Sequence, residues 1–550
     1  MKRRLLLGLA LFCMLLCGLW LGHTTITETK VDEKNPEYQK VMNHLEVISR
    51  EVHPTGTEEI ERVREYLRGE FKRLECCVTE ESFETAALGD VTGRTKVPYV
   101  NFLVTIDVPE TSDGVMLVSH YDSTPGGPGA ADDGISVASM LVALEQSLEA
   151  QKAGTLKNDM YYLFTDGEEL GLVGARHFVN NHSDMKEYVK LVANFEARGN
   201  DGSLLMFQTS TNSNHLIRQL KKAVERVDGF SVAAQIYETM PNDTDLTIFL
   251  KNGFTSCLNF AMIDGSETYH QATDTFANIN RDSTYMYYET VTELAEYFST
   301  AELDRLIDDQ DAVYFPTIGG SIFVLSSTFA NNATILLCLL VVLWVFVLAI
   351  KRKISGKELL RAIGLFASSI LGIALFAKAY LTVVDVIAKG DMSIEAEMEQ
   401  LANINVGLAV AVCVLVTAVT VYISKYAKSH KEYLIVAMVI CALGGVALRV
   451  LFDSIIYVFL FPLFILVVQS IALYCLDRSG KKQYSKWFNL FMTISMTVSM
   501  SVVLYPFIKV VFDCFNNAFI SYYVLLEALG VYLVNVCFIG NMIDETKSTF

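Results

Sequence analysis

Phe164-Thr165-Asp166-Gly167-Glu168-Glu169-Leu170-Gly171 decides the fold. It completes an apolar run, Met160-Tyr161-Tyr162-Leu163-Phe164, that reads as a buried strand, and it precedes Leu172-Val173-Gly174-Ala175-Arg176-His177-Phe178, whose spacing predicts a helix. Two adjacent glutamates therefore sit where a strand ends and a helix is about to start, the edge of an open α/β sheet at which ligands bind. On this reading Glu168 moves protons and Glu169 holds a metal, and the rest of the chain must supply the other ligands. The alternative is a pair of solvated acids in a helix's first turn, favoured by the helix dipole.

Outward from this stretch, β and α signals alternate. Strands are expected at 101–106, 114–119, 160–164, 191–195, 204–208 and 255–260, and helices at 135–148, 172–180 and 215–227. Residues 40–75 read as helices around the loop Ile48–Thr57, with Thr55 and Thr57 as helix N-cap candidates. His53 in that loop reads as a residue beside a proline rather than a catalytic group. Strands separated by helical patterns of 10–15 residues indicate an α/β domain, a mostly parallel mixed sheet sandwiched by helices.

Candidate ligands fall at strand ends. His120-Tyr121-Asp122 closes one strand, and residues i and i+2 share a face. His120 can bind a metal through one ring nitrogen while Asp122 accepts a hydrogen bond from the other, which fixes the tautomer. Pro125–Gly134 is too rich in Gly and Pro for regular structure. Within it Asp132 and Asp133 either cap the following helix, or one carboxylate bridges two ions while the other supports the loop. Asn194-Phe195-Glu196-Ala197-Arg198 ends another strand, and Glu196 is a ligand or an ordinary acid paired with Arg198. His270 lies in the loop Tyr269–Thr275. Each residue alone has a bland explanation. Together they place His, Asp, Glu, Glu and His after successive strands or in adjacent loops, and imidazole with carboxylate suits zinc.

The ordered set resembles the di-zinc exopeptidase family that includes leucyl-type aminopeptidases, glutamate carboxypeptidase and transferrin-receptor ectodomains, and the vacuolar membrane proteases. The matching pieces are His120-x-Asp122, Gly129-Ala130-x-Asp132-Asp133-Gly134, Glu168-Glu169-x-Gly171-x-x-Gly174, Asn194-x-Glu196 and Tyr269-His270-x-x-x-Asp274-Thr275, with His53-Pro54-Thr55-Gly56 as the early loop. They cover about residues 40–300. The resemblance implies two Zn2+ ions: His120 and Glu196 hold one, Glu169 and His270 the other, and Asp132 bridges them. It makes Glu168 the general base, Asp122 the residue that orients His120, and Asp133, Asp245 (in Pro241–Asp245) and Asp274 supporting acids. Peptides are the implied substrates, and aminopeptidase is favoured over carboxypeptidase or dipeptidase. The aminopeptidases often carry Asp where this chain has Glu196.

Composition divides the 550 residues. Between residues 23 and 316 there are about 49 acids and about 24 bases, so this part carries roughly −25 against a formal total of −18 and the remainder is slightly basic. An acidic globular part on a basic, apolar part suggests an ectodomain on a membrane anchor and argues against nucleic acid, which needs a basic face. Of 11 Cys only Cys76, Cys77 and Cys257 lie in the globular part, so no disulfide framework is readable. The expected organisation is a signal anchor at 1–22, a peptidase ectodomain at 23–316, and an all-α polytopic transmembrane domain at 317–550. Beyond the span at Ala333–Ile350, spans are expected near 360–383, 405–423, 433–450, 454–475, 487–507 and 519–540, with Glu527 inside the last. Met1-Lys2-Arg3-Arg4 and Lys351-Arg352-Lys353 put those ends in the cytosol and the ectodomain outside it, with 391–400 also outside. A bacterial plasma membrane is expected; a vacuolar or endoplasmic-reticulum membrane, with the domain in the lumen, preserves the topology. A receptor-like ectodomain without catalysis and a transporter-like bundle are the competing readings, and the filled ligand positions favour the enzyme.

Overall fold

A computed structural model describes residues 2–25, 29–86, 96–109, 113–226, 228–388, 394–515 and 520–543. The chain splits into a globular unit, Ile26–Ser326, and a helical unit made of Met1–Thr25 with Ser327–Phe550. Helix α1 (Lys2–His23) belongs to the helical unit. The globular unit runs α2 (Pro36–Ile48), α3 (Glu58–Arg73), β1 (Cys77–Ala86), β2 (Lys96–Ile106), β3 (Gly114–His120), α4 (Ile135–Lys152), β4 (Asp159–Thr165), α5 (Val173–Asn181), β5 (Val189–Ala197), β6 (Asp201–Thr209), α6 (Asn214–Ala223), β7 (Asp228–Gly229), α7 (Ser231–Tyr237), α8 (Asp245–Lys251), β8 (Cys257–Asp264), α9 (Arg281–Phe298), β9 (Ala312–Thr317) and β10 (Ser321–Ser326). The hairpin β9–β10 extends this unit ten residues past the change in composition at 316, because Ala312, Tyr314, Ile322 and Val324 pack into the main core.

Eight strands form one mixed sheet in the order β1-β2-β4-β3-β5-β8-β6-β7. The four central strands β4, β3, β5 and β8 are parallel, and β1, β2 and β6 pair antiparallel on the flanks. The period of two along each central strand feeds two cores. Met160, Tyr162 and Phe164 of β4 pack with Val115 and Leu117 of β3 beneath α2, α3, α4 and α9. Tyr161 and Leu163 pack with Met116, Val118 and Val192 against α5 and α8 on the other face. Burial on both faces explains why these strands read as continuous apolar runs. All four parallel strands end at one edge, so His120, Thr165, Ala197 and Asp264 lie side by side there.

Several elements depart from the sequence reading. β1 is a half-exposed strand with Glu80, Glu81 and Glu84 in it, and lacks an apolar run. The short helices α7 and α8 are too brief to show a helical period. α9 was not among the expected helices either. Thr57 caps α3 by accepting from the Ile60 amide at 3.3 Å. Thr55 is no cap; its hydroxyl donates to Asp166 at 2.7 Å. Glu168 and Glu169 are not in a helix's first turn, because residues 167–172 form a turn and α5 starts at Val173, after Leu172 in the left-handed region (φ 61).

The turn that carries the two glutamates rests on a buried network. The Asp166 carboxylate accepts from the Arg64 guanidinium, from the Tyr121 hydroxyl at 3.2 Å and from the Val100 amide at 2.9 Å. Arg64, on α3, also donates through Nε to the Tyr121 hydroxyl at 3.1 Å. Gly167 takes φ +77, where a Cβ would run into the Tyr99 ring.

The helical unit continues with α10 (Ser327–Ile350), α11 (Gly356–Ala388), α12 (Ile394–Ser424), α13 (Lys431–Leu451), α14 (Tyr457–Arg478), α15 (Ser485–Phe515) and α16 (Ile520–Met542). Among the described residues seven helices are long and apolar enough to cross a membrane: α1, α10, α11 and α13–α16. α12 adds a shorter apolar stretch, Ala409–Ser424. Arg4 donates to the Met542 carbonyl at 3.3 Å, so the start of α1 and the end of α16 share one end of the bundle. The boundary near Arg449–Asp453 is a tight hairpin, a single turn at Asp453–Ile455. Residues 391–393 of the segment expected outside lie beyond the described residues. Glu527 lines a cavity of about 120 Å3 with Leu15, Thr497 and Leu504, and its Oε1 is 3.9 Å from the Cys413 thiol.

Removing one partner of a buried ion pair strands the other charge, at about 3–5 kcal/mol. Arg64→Met is therefore expected to destabilise the globular unit by that amount, read from its transition in scanning calorimetry of the purified chain. A loss below about 1 kcal/mol would show that Asp166 is held by its neutral donors alone.

Candidate metal centre

Strand register sets the site. β3 pairs with β4 so that His120 faces Thr165, and β5 pairs with β8 so that Glu196 faces Ala261. His120 Nδ1 lies 3.0 Å from the main-chain oxygen of Asp122 and 3.4 Å from its Oδ1. The nearer acceptor is thus the carbonyl, not the side chain that the sequence reading chose. Both acceptors keep the proton on Nδ1 and turn the Nε2 lone pair inward. The Asp122 carboxylate mainly grips the glutamate turn: Oδ1 accepts the Glu168 amide at 3.1 Å and Oδ2 the Glu169 amide at 3.3 Å.

Asp132 lies between two histidines. Its Oδ1 is 3.2 Å from His120 Nε2, and its Oδ2 is 3.3 Å from His270 Nε2. His120 Nε2 is also 3.6 Å from Glu196 Oε2, and His270 Nε2 is 3.3 Å from Glu169 Oε2. Donor atoms bound to a tetrahedral zinc at about 2.0–2.1 Å stand roughly 3.3 Å apart. Asp132, Glu169 and His270 therefore have the spacing of a closed ligand shell, and His120 stands at that spacing from Asp132 and Glu196. His270 Nε2 and Glu169 Oε1 are buried and hydrogen-bond to no described residue. Imidazole and carboxylate donors at this spacing suit a metal ion such as zinc. By proximity alone Asp133 also falls within reach of His120 and Glu196. Its oxygens are engaged elsewhere, however: Oδ2 accepts from Ser119 at 2.6 Å and Oδ1 from Ser136, which in turn contacts the Tyr287 hydroxyl at 2.5 Å. Asp132 is the bridging candidate and Asp133 the support. Neither caps α4, whose N-cap is Gly134 with no side-chain bond.

The remaining candidates support this shell. Asp274 accepts the Ala131 amide at 2.7 Å and the Asp132 amide at 3.2 Å, so it aims the bridging residue. Asp245, at the start of α8, accepts from Thr165 at 2.5 Å through Oδ2, while its buried Oδ1 has no described partner. Asn194 donates to Glu196 Oε1 at 3.2 Å. Glu196 is thus committed to His120 and Asn194, not to Arg198. His270 sits at φ 59, a left-handed conformation that costs a non-glycine residue roughly 1 kcal/mol or more. Gly126 and Gly127 pass so close to the His270 and Gln271 carbonyls that a Cβ on either would collide. His53 is buried and structural: its amide donates to Ser123 Oγ at 2.9 Å and Nδ1 to the Glu51 carbonyl at 2.8 Å. Sequence reasoning missed Arg64, Ser119, Ser136, Thr165 and Tyr287, whose common residue types carry no motif. It also passed over Tyr269, whose ring stacks on His270 at 3.7 Å and whose position beside a ligand was the available signal.

Burial and charge crowding together set the electrostatics of the site. Burial, and then the charge of Glu196, hold the Glu168 carboxyl well above its ordinary value, and no described residue hydrogen-bonds it. Burial and then Asp132 push Glu169 up to about 7. Burial likewise raises Asp245 to about 7 and Asp274 to about 6. For the histidines burial works downward, but the facing carboxylates override it: His270 rises to about 9, and His120 stands well above its usual range.

The sequence profile of peptidase family M28 matches residues 101–295. These residues are similar to an M28 peptidase domain. The vacuolar membrane protease of Saccharomyces cerevisiae (strain RM11-1a) is 28% identical over 323 residues, 54% of this chain and 32% of that protein. The putative endoplasmic reticulum metallopeptidase 1 of Schizosaccharomyces pombe is 26% identical over 355 residues, 58% of this chain and 42% of that protein. The chain thus spans well under half the length of these curated relatives. Among solved structures, the aminopeptidase from Aneurinibacillus sp. strain AM-1 is 15% identical with a TM-score of 0.39, covering 53% of this chain and 98% of that one. The glutaminyl cyclase of Porphyromonas gingivalis is 16% identical with a TM-score of 0.39, covering 48% and 97%. Likeness at that level says nothing of activity. With the long apolar helices, the membrane-named relatives support a multi-pass membrane protein.

A group whose folded pKa is raised binds more protons folded than unfolded, so stability falls as pH rises towards that pKa. Above pH 6.5 the raised values of Glu169, Asp245 and His270 all act in this direction. His44 and His53, lowered by burial, oppose it only below their unfolded value of 6.5. The melting temperature of the chelator-stripped chain is therefore expected to fall between pH 6.5 and 8, and added zinc to flatten the profile. A metal-free profile that rises over that range would contradict the crowding.

Proposed function

We propose that this chain is a membrane-anchored, zinc-dependent exopeptidase with its site on the non-cytosolic side, and that among exopeptidases it is an aminopeptidase rather than a carboxypeptidase or dipeptidase. The observation that carries the reading is Asp132, with one oxygen 3.2 Å from His120 Nε2 and the other 3.3 Å from His270 Nε2. His120 and Glu196 would hold one zinc, Glu169 and His270 the other, with Asp132 shared. Two such ions bring a shared water's pKa near neutrality and polarise the carbonyl of the bond to be cut. Glu168 supplies the base. Its carboxyl lies among the charges of Glu196, His120, Asp245 and Glu169 without a hydrogen bond, free to take a proton from the attacking water and return it to the leaving amine. Asp122 holds the turn so that Glu168 and Glu169 keep their separate directions. The printed names of the relatives refer to vacuolar and endoplasmic-reticulum proteins, which supports a lumenal site over a bacterial plasma membrane.

Glu168→Gln is expected to lower turnover of unblocked peptides by about 10^2–10^4-fold while zinc content stays at that of the wild type. Near-normal turnover would remove Glu168 from the base role. Elemental analysis gives a second check: Glu196→Ala is expected to retain one zinc of two, and Asp132→Ala neither. Full zinc content in Asp132→Ala would exclude the bridge.

A further inference from the structure

We infer that Arg198 receives the free carboxylate of the substrate, so that the site takes short peptides with an unblocked C-terminus. This rests on the metallopeptidase reading and adds the substrate class. Arg198 follows the ligand Glu196 by two residues, just past the end of β5, and its amide donates to the Met262 carbonyl at 2.7 Å, which ties that corner to β8. Its guanidinium lies 5.7 Å from the centre of the Tyr269 ring, and that ring stacks on His270 with centres 3.7 Å apart. The guanidinium is therefore no further than about 9–10 Å from a ligand imidazole.

Among the described residues no carboxylate or carbonyl pairs with that guanidinium. Glu196, the acid nearest in sequence, is committed to His120 and Asn194. Arg198 therefore stands at the rim of the site against the face of the Tyr269 ring. A planar, five-donor fork fits a carboxylate through two parallel hydrogen bonds. An extended peptide advances about 3.3–3.6 Å per residue. A carboxylate on Arg198 thus ends a substrate no more than about three residues beyond the bond being cut. Longer chains have no terminal carboxylate there, and an amidated end offers no charge.

The test uses the full zinc-loaded chain with trialanine and trialanine amide. A charge-assisted hydrogen bond of this kind corresponds to roughly 10–100-fold. The ratio of kcat/KM for the free acid to that for the amide is expected to be in that range for the wild type, near one in Arg198→Gln, and intermediate in Arg198→Lys. A wild-type ratio near one, or one that Arg198→Gln leaves unchanged, overturns the inference. Calorimetric binding of the same pair to Glu168→Gln separates it from the peptidase reading. If the wild type cleaves neither peptide, the peptidase reading fails, while tighter binding of the acid that disappears in the Glu168→Gln, Arg198→Gln double variant still supports Arg198. Equal affinity for acid and amide, or none for either, overturns it.

Discussion

Buried carboxylates in one cleft repel one another, and the globular unit is organised around that constraint. At an effective dielectric constant of 20, two like charges 4 Å apart oppose each other by about 4 kcal/mol. Asp122, Asp132, Asp133, Glu168, Glu169, Glu196 and Asp245 converge on the edge of the sheet, with two imidazoles among them. Burial first, and then the charges of neighbouring carboxylates, displace Glu168, Glu169 and Asp245 upward. Neutral donors satisfy Asp133 and one oxygen of Asp245, and backbone amides satisfy Asp122 and Asp274. The remainder, Asp132, Glu169, Glu196 and the inward nitrogens of both histidines, face one another across the site, and Glu169 Oε1 and His270 Nε2 among them have no described hydrogen-bond partner.

The rest of the fold holds that remainder still. Four parallel strands end at the same level, so residues distant in sequence reach one edge without long loops. The turn after β4 would otherwise be a flexible strap of glycines and acids. Arg64 anchors it from beneath through Asp166, and Asp122 grips it from the side through two amides. Each anchor comes from a different element, α3 and the end of β3. A change in either moves Glu168 and Glu169 together.

That His120, Asp132, Glu169, Glu196 and His270 meet at one edge was legible in the sequence because each follows a strand or lies in an adjacent loop. The central strands were legible because burial on both faces leaves continuous apolar runs such as Met160–Phe164. What escaped had a physical reason in each case. β1 is edge-like and charged, so no run marks it. α7 and α8 are shorter than two helical periods or barely that long. Thr55 looked like a cap because caps and buried hydroxyl donors share a residue type, and only the position of Asp166 separates them. The preference between Asp132 and Asp133 came from the resemblance, since spacing cannot say which of two neighbours has its oxygens taken by Ser119 and Ser136.

The two glutamates show why a turn, and not a helix, has to follow β4. In a helix, successive side chains diverge by about 100° around one axis and would lie along a single outer surface. Here the helix is delayed to Val173, and the backbone bends at Gly167 and again at Leu172. Glu169 turns to His270 and towards Asp132, while Glu168 lies with Glu196, His120 and Asp245. Burial and the Asp132 charge push Glu169 up and the His270 imidazole works against them, which suits the proposed metal ligand, since a bound cation would complete what His270 begins. Glu168 has charged neighbours on several sides and no hydrogen bond to hold its proton in place, which suits a group that must exchange one. Adjacent in sequence and identical in chemistry, the pair is differentiated by the turn that separates their directions.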